Sequence, residues 1–333
     1  MTRSRQTPAL ALRILITIAL FFAVGPAATR DAAAQATSSA FRTVTGRVVR
    51  PTMSSVVSVS NSWVVLHRVA PDTSRPIDSV RTNANGAFRI RFRPVGNMGA
   101  IYFLATRWQG IAYFSPPLRT TGVAESAVLT VFDTTSSGLA LRERGRHVIV
   151  FAPRGDGSRE VVEVFELANE GARTRVPAGA GRASWSAALP KAALDFRAGQ
   201  SDISAESIVG SAGKVEVFAP FAPGVKQVSF TYRLPKGSFP LALPPASDTL
   251  VLEVLLEEPG ATAKGAGLRA MESVTVDGRR LQRWLSPNAP ALAPVRIAAR
   301  GASGRRVPLA VGGLMIALTV TILIALVVGL RRR

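Results

Sequence analysis

Between residues 35 and 306 the chain shows almost no helical periodicity. Short runs of β-branched and aromatic residues recur there between Gly, Pro, Asn, Asp and Ser. A chain punctuated this way buries apolar side chains on strand faces, and runs this short pack as sandwiches. The clearest run is 87–93, where Phe88, Ile90 and Phe92 alternate with Arg89, Arg91 and Arg93. It follows Asn83-Ala84-Asn85-Gly86, a turn sequence that tolerates positive φ. The same pattern predicts strands over 43–49, 62–69, 100–106 and 126–132. A second series covers 147–151, 160–167, 214–218, 225–232 and 249–256. A hairpin over 273–276 and 281–284, turned by Asp277-Gly278, and a strand at 295–298 complete it. The Ala/Gly-rich stretch 259–267 reads as a loop. The predicted fold is all-β, with two β-sandwiches in tandem over 41–135 and 146–300, the second immunoglobulin-like.

The two ends read differently. Residues 1–34 have the layout of a secretory signal peptide: Arg3, Arg5 and Arg13, an apolar core over 14–24, then Ala32-Ala33-Ala34 before Gln35. Val307 to Leu330 is 24 residues without a charge, followed by Arg331-Arg332-Arg333. As a helix it rises about 36 Å, enough to cross a bilayer core of about 30 Å. The expected layout is export of the bulk of the chain, a tether at 301–306, one transmembrane helix at 307–330 and a basic cytoplasmic tail at 331–333. In a two-membrane cell this places the protein in the inner membrane, with most of its mass periplasmic.

Residues 43–132 resemble the carboxypeptidase-regulatory-like family, a prealbumin-like β-sandwich. The likeness rests on Val44-Thr45-Gly46-Arg47-Val48-Val49, Trp63-Val64-Val65-Leu66, the hairpin Thr82-Asn83-Ala84-Asn85-Gly86-Ala87-Phe88, and Tyr102-Phe103-Leu104-Ala105-Thr106. It implies a scaffold without chemistry of its own, in which the hairpin glycine permits the turn and the following aromatic seeds the core. The chain departs from enzyme-linked members: neither His67 nor His147 stands in an H-x-x-E zinc motif.

Catalytic chemistry has few residues to work with. There is no cysteine, which excludes disulfides and thiolate metal sites, and there are two histidines. No G-x-S-x-G, H-E-x-x-H, P-loop or G-x-G-x-x-G occurs. Glu257-Glu258 reads as a solvated loop edge, because neighbours on an extended chain point apart. His67 reads as a packed or rim residue, and Asp133-Thr134-Thr135-Ser136 and Asp156-Gly157-Ser158 as turns. No catalytic residue, metal site or cofactor is expected.

The 41 Lys+Arg against 21 Asp+Glu give a formal charge of +20. Only five of the basic residues are lysine, and the arginines are spread along the chain, so no nucleic-acid partner is expected. The one stretch with binding character is Trp108 to Pro117, where Trp108, Tyr113 and Phe114 combine aromatic area with turn residues. The alternative is that Tyr113 and Phe114 are core. Together these features predict a non-enzymatic, membrane-anchored recognition or scaffolding protein of the bacterial envelope, with protein or polysaccharide partners. The competing expectation is an accessory subunit of an envelope enzyme or transporter.

Overall fold

The computed structural model describes residues 41–94, 99–118, 124–211, 213–244 and 247–299. The expected signal peptide, tether, transmembrane helix and basic tail lie outside these residues. No described helix is long and apolar enough to cross a membrane.

The described chain is all-β and forms two sandwiches. The first contains β1 (Arg42–Pro51), β2 (Val56–Ser58), β3 (Trp63–Val69), β4 (Ser74–Arg81), β5 (Ala87–Phe92), β6 (Ile101–Trp108), β7 (Ile111–Phe114) and β8 (Ala124–Thr130). One sheet runs β2-β1-β5, with β8 added in parallel to β1; the facing sheet runs β4-β3-β6-β7. Strand β5 follows the predicted alternation: Phe88, Ile90 and Phe92 are buried and Arg89 and Arg91 are exposed. The turn before it is closed by Asn83, whose Oδ1 accepts from Asn85 N (3.0 Å) and Ala87 N (2.9 Å). Gly86 takes φ +67°, and a Cβ there would lie 2.7 Å from the Val48 carbonyl oxygen.

Strand β3 faces the opposite way from what its aromatic residues suggest. Trp63, Val65 and His67 share one face, but Val64 and Leu66 are the fully buried residues. The strand is apolar on both faces, so local pattern does not choose between them.

A short strand, β9 (Thr134–Thr135), leads to the second sandwich. It comprises β10 (Arg142–Val150), β11 (Arg159–Asn169), β12 (Thr174–Arg175), β13 (Trp185–Ala188), β14 (Leu194–Ala198), β15 (Ile208–Ser211), β16 (Lys214–Val217), β17 (Gly224–Leu234), β18 (Leu241–Leu243), β19 (Thr249–Leu256), β20 (Thr262–Gly265), β21 (Arg269–Val276), β22 (Arg279–Ala289) and β23 (Val295–Ala298). Among the described residues, seven strands form one sheet in the order β14-β17-β11-β10-β19-β22-β21, with a parallel β10–β19 pair. Two three-stranded sheets, β13-β16-β15 and β18-β23-β20, contribute residues to the same apolar core. An immunoglobulin-like sandwich divides about seven strands between two sheets. Here seven lie in one sheet, so the second module is a sandwich of a different plan.

Two local expectations also change. The stretch 259–267 contains β20, which pairs with β23; Ala263 of the strand and Ala261 just before it are buried. Alanine and glycine lack strand propensity, and pairing with a distant strand overrides that. The Glu257-Glu258 pair is not a solvated edge. Glu258 is buried and accepts from Arg159 Nε (2.9 Å) and Nη2 (2.5 Å), while Glu257 binds Arg279 and the Ala152 amide. Successive residues do point apart, but each points toward its own arginine.

Candidate functional site

The expected aromatic site lies on the β6–β7 hairpin, whose turn is Gln109 (φ 47°) and Gly110 (φ 80°). A two-residue turn with both φ values positive matches the right-handed twist of its strands. Alternation then separates the three candidate residues. Tyr113, opposite Thr106, points inward; Phe114, opposite Ala105, points outward.

Tyr113 is buried. Its hydroxyl donates to the Phe132 carbonyl (2.9 Å) and shares a hydrogen bond with Thr174 Oγ1 (2.8 Å). Burial pushes the phenol above its ordinary value. Trp108 Nε1 donates to Asp133 Oδ1 (3.2 Å), and the same carboxylate accepts from Arg50 Nη1 (2.5 Å), whose guanidinium lies over the Trp108 ring. Gln109 Oε1 accepts from Thr134 N (2.9 Å) and Thr134 Oγ1 (3.0 Å). Trp108 and Tyr113 therefore hold the segment joining the sandwiches, where β9 pairs with β12. Of the two, Tyr113 is enclosed and Trp108 is partly exposed. Phe114, 62% exposed, is the only one of the three that faces solvent freely.

Phe114 belongs to a wider surface that the sequence did not single out. Register sets Phe114, Ala105 and Val65 in one row across the sheet, Phe103 and His67 in the next, and Ile101 beside Val69 in a third. His67 and Phe103 stack at 5.2 Å with rings 8° from parallel, and Phe114 meets Phe103 edge-on at 5.8 Å. Rings stacked across adjacent strands stand up from the sheet and present edges to solvent. Trp63 is 51% exposed, with Arg81 4.7 Å from its ring centroid, and Ile101 is 48% exposed. The result is an exposed aromatic and aliphatic patch over β3, β6 and β7, bordered by Arg81 of β4 and Arg107 of β6.

The second sandwich concentrates buried charge. Glu163 accepts from Arg146 Nε (3.0 Å) and Nη2 (2.8 Å) and from the Tyr232 hydroxyl (2.7 Å). Burial, and then the neighbouring carboxylate, push Tyr232 well above its ordinary value. Nearby Glu143 is raised by burial, against the pull of Arg146 and hydrogen bonds from Thr249 and Ser247. Beside Arg146 is a cavity of about 20 Å³, room for about one water. On the other face of the large sheet, Glu253 accepts from His147 Nδ1 (2.7 Å) and Arg283 Nε (2.5 Å). His147 Nε2 is buried without a hydrogen-bond partner among the described atoms. A carboxylate-held imidazole is one element of a hydrolytic triad. Here its second nitrogen meets neither a hydroxyl nor solvent. Among the described residues no three His, Asp or Glu side chains are grouped to hold a metal ion.

No family model matches the chain, and no curated protein is similar to it. Among solved structures, it aligns with the major pilin subunit of Bacillus cereus. The alignment covers 75% of this chain and 86% of that one, with 10% identity and a TM-score of 0.20. The two sandwiches are defined by their own strand pairing.

Proposed function

We propose that this protein is a non-enzymatic recognition or scaffolding protein, anchored by the 307–330 helix after signal-peptide removal near Gln35. In this reading most of the chain lies outside the cytoplasm. Its first sandwich, a carboxypeptidase-regulatory-like module, docks a protein partner through the outer face of the β4-β3-β6-β7 sheet. The observation that carries the reading is that exposed apolar patch, bordered by Arg81 and Arg107. Exposed apolar patches of this kind mark contact surfaces on soluble modules. Ring edges interleaved with Val65, Val69 and Ile101 suit the packed centre of a protein interface better than sugar stacking, which needs open ring faces. The accessory-subunit reading is the case in which that partner is an enzyme or transporter.

The test is site-specific photo-crosslinking in cells from position 114, with position 128 on the opposite sheet as control. An adduct of one defined mass is expected from 114 alone, and Ile101→Asp should abolish it. No adduct from 114, or equal adducts from both positions, would overturn the docking face.

A further inference from the structure

The opposite outer face of the first sandwich has the reverse character. Register places Thr43 and Arg47 of β1, Arg89 and Arg91 of β5, and Ser126 and Thr130 of β8 on it, because the alternating residues fill the core. Arg47, Arg89 and Arg91 are exposed, and Arg93 continues the row just beyond β5. Among the described residues, none of these four arginines lies within ion-pair distance of a carboxylate. Two are restrained: the Arg91 and Arg93 guanidiniums sit 4.2 Å and 4.6 Å from the Phe41 ring centroid. Restrained guanidiniums lose less freedom when they bind.

We propose that this face binds an acidic polysaccharide. Arginines two residues apart on a strand are about 6.7 Å apart, a regular row that engages a repeating charge better than a single small anion. The guanidinium fork matches a carboxylate in two parallel hydrogen bonds. Thr43 stands opposite Arg91, and Ser126 and Thr130 extend the same face onto β8, so hydroxyls border the arginines where a ligand rich in hydroxyls would lie. A lipid surface favours a cluster of protruding apolar groups, whereas the exposed apolar residues of this face besides Phe41, namely Val56 and Val128, lie on separate strands on either side of β1. A nucleic acid favours open aromatic rings, and the Phe41 ring already carries two guanidiniums.

The inference concerns a different sheet from the docking face, so it stands or falls separately from the proposed function. Its test uses the full-length protein in detergent with immobilised polygalacturonate, neutral dextran as control, and competing vesicles of phosphatidylcholine with or without 30% phosphatidylglycerol. Because the whole chain is strongly basic, a charge-matched control is essential. Arg89→Ser/Arg91→Ser removes two charges from the basic face, and Arg81→Ser/Arg107→Ser removes two from the other sheet. Expected are binding to polygalacturonate and not to dextran, a tenfold or greater loss in the first variant, and a less than twofold loss in the second. Equal losses in both variants would reduce the effect to net charge and overturn the site. Absence of polygalacturonate binding would overturn it too, as would displacement of polygalacturonate by the anionic vesicles alone.

Discussion

Gly46 shows how little tolerance the first core has at single positions. A Cβ there would lie 2.1 Å from the Ala127 carbonyl oxygen and 2.5 Å from the Phe88 ring. The first clash is with the backbone of β8, which cannot yield without loosening its pairing with β1. Gly46→Ala is expected to cost about 3 kcal/mol, read as a lower Tm of the purified protein. A neighbouring pair tests the register of β5. Ile90→Asp buries an unpaired charge and should cost several kcal/mol, whereas Arg89→Asp, on the solvent face, should cost less than about 1 kcal/mol. Equal melting temperatures would mean that the two side chains do not point to opposite faces.

At the scale of elements, the sheet edges carry irregularities that discourage pairing with other chains. Register shifts occur between Leu66 and His67 opposite β4, between Leu194 and Arg197 on β14, and between Met271 and Val274 on β21. Bulges at edges interrupt the row of free backbone groups that would otherwise template a new strand. Between β10, β19 and β22, side-chain charge does the holding. Burial raises the Glu253 carboxyl, but His147 and Arg283 outweigh it and hold the group below its ordinary 4.5. A carboxyl whose folded pKa lies below its unfolded one stabilises the fold fully above the unfolded value. That contribution is lost as pH falls through the folded one. Glu253→Gln should therefore cost about 3 kcal/mol at pH 7, since it strands buried partners, and the gap to the parent should narrow as pH drops below about 4. Urea melts across pH 3 to 7 measure it; a gap that stays constant would exclude charge as the cause. The Ala/Gly-rich β20 belongs at this scale as well, since only its pairing with β23 makes it a strand.

For the whole molecule, the β6–β7 hairpin joins the sandwiches. Tyr113 reaches Thr174 across 61 residues of sequence, and Gln109 fixes Thr134 just before the largely exposed 136–141 connection. Tyr113→Phe removes one hydroxyl that satisfies two partners, a loss of about 1–2 kcal/mol. Its more specific expected effect is faster proteolytic cleavage within 136–141 while both sandwiches stay folded. Cleavage at the parental rate would show that the contact does not govern the joint.

The sequence by itself determined the all-β class, the β5 alternation, the Asn83–Gly86 turn, and strands such as β19 and β23, whose predicted and observed bounds coincide. Each of these depends on neighbours a few residues apart, through side-chain alternation, turn hydrogen bonds or positive φ. Tertiary structure alone decided which apolar face of β3 met the core and that Tyr113 serves the joint. It also turned Glu258 inward to Arg159 and gathered Arg47, from one strand, beside Arg89 and Arg91 from another. The alternation of a strand defines two faces, but which face is covered depends on strands far away in sequence. For that reason the exposed aromatic patch and the basic face were legible only after the sheets were paired.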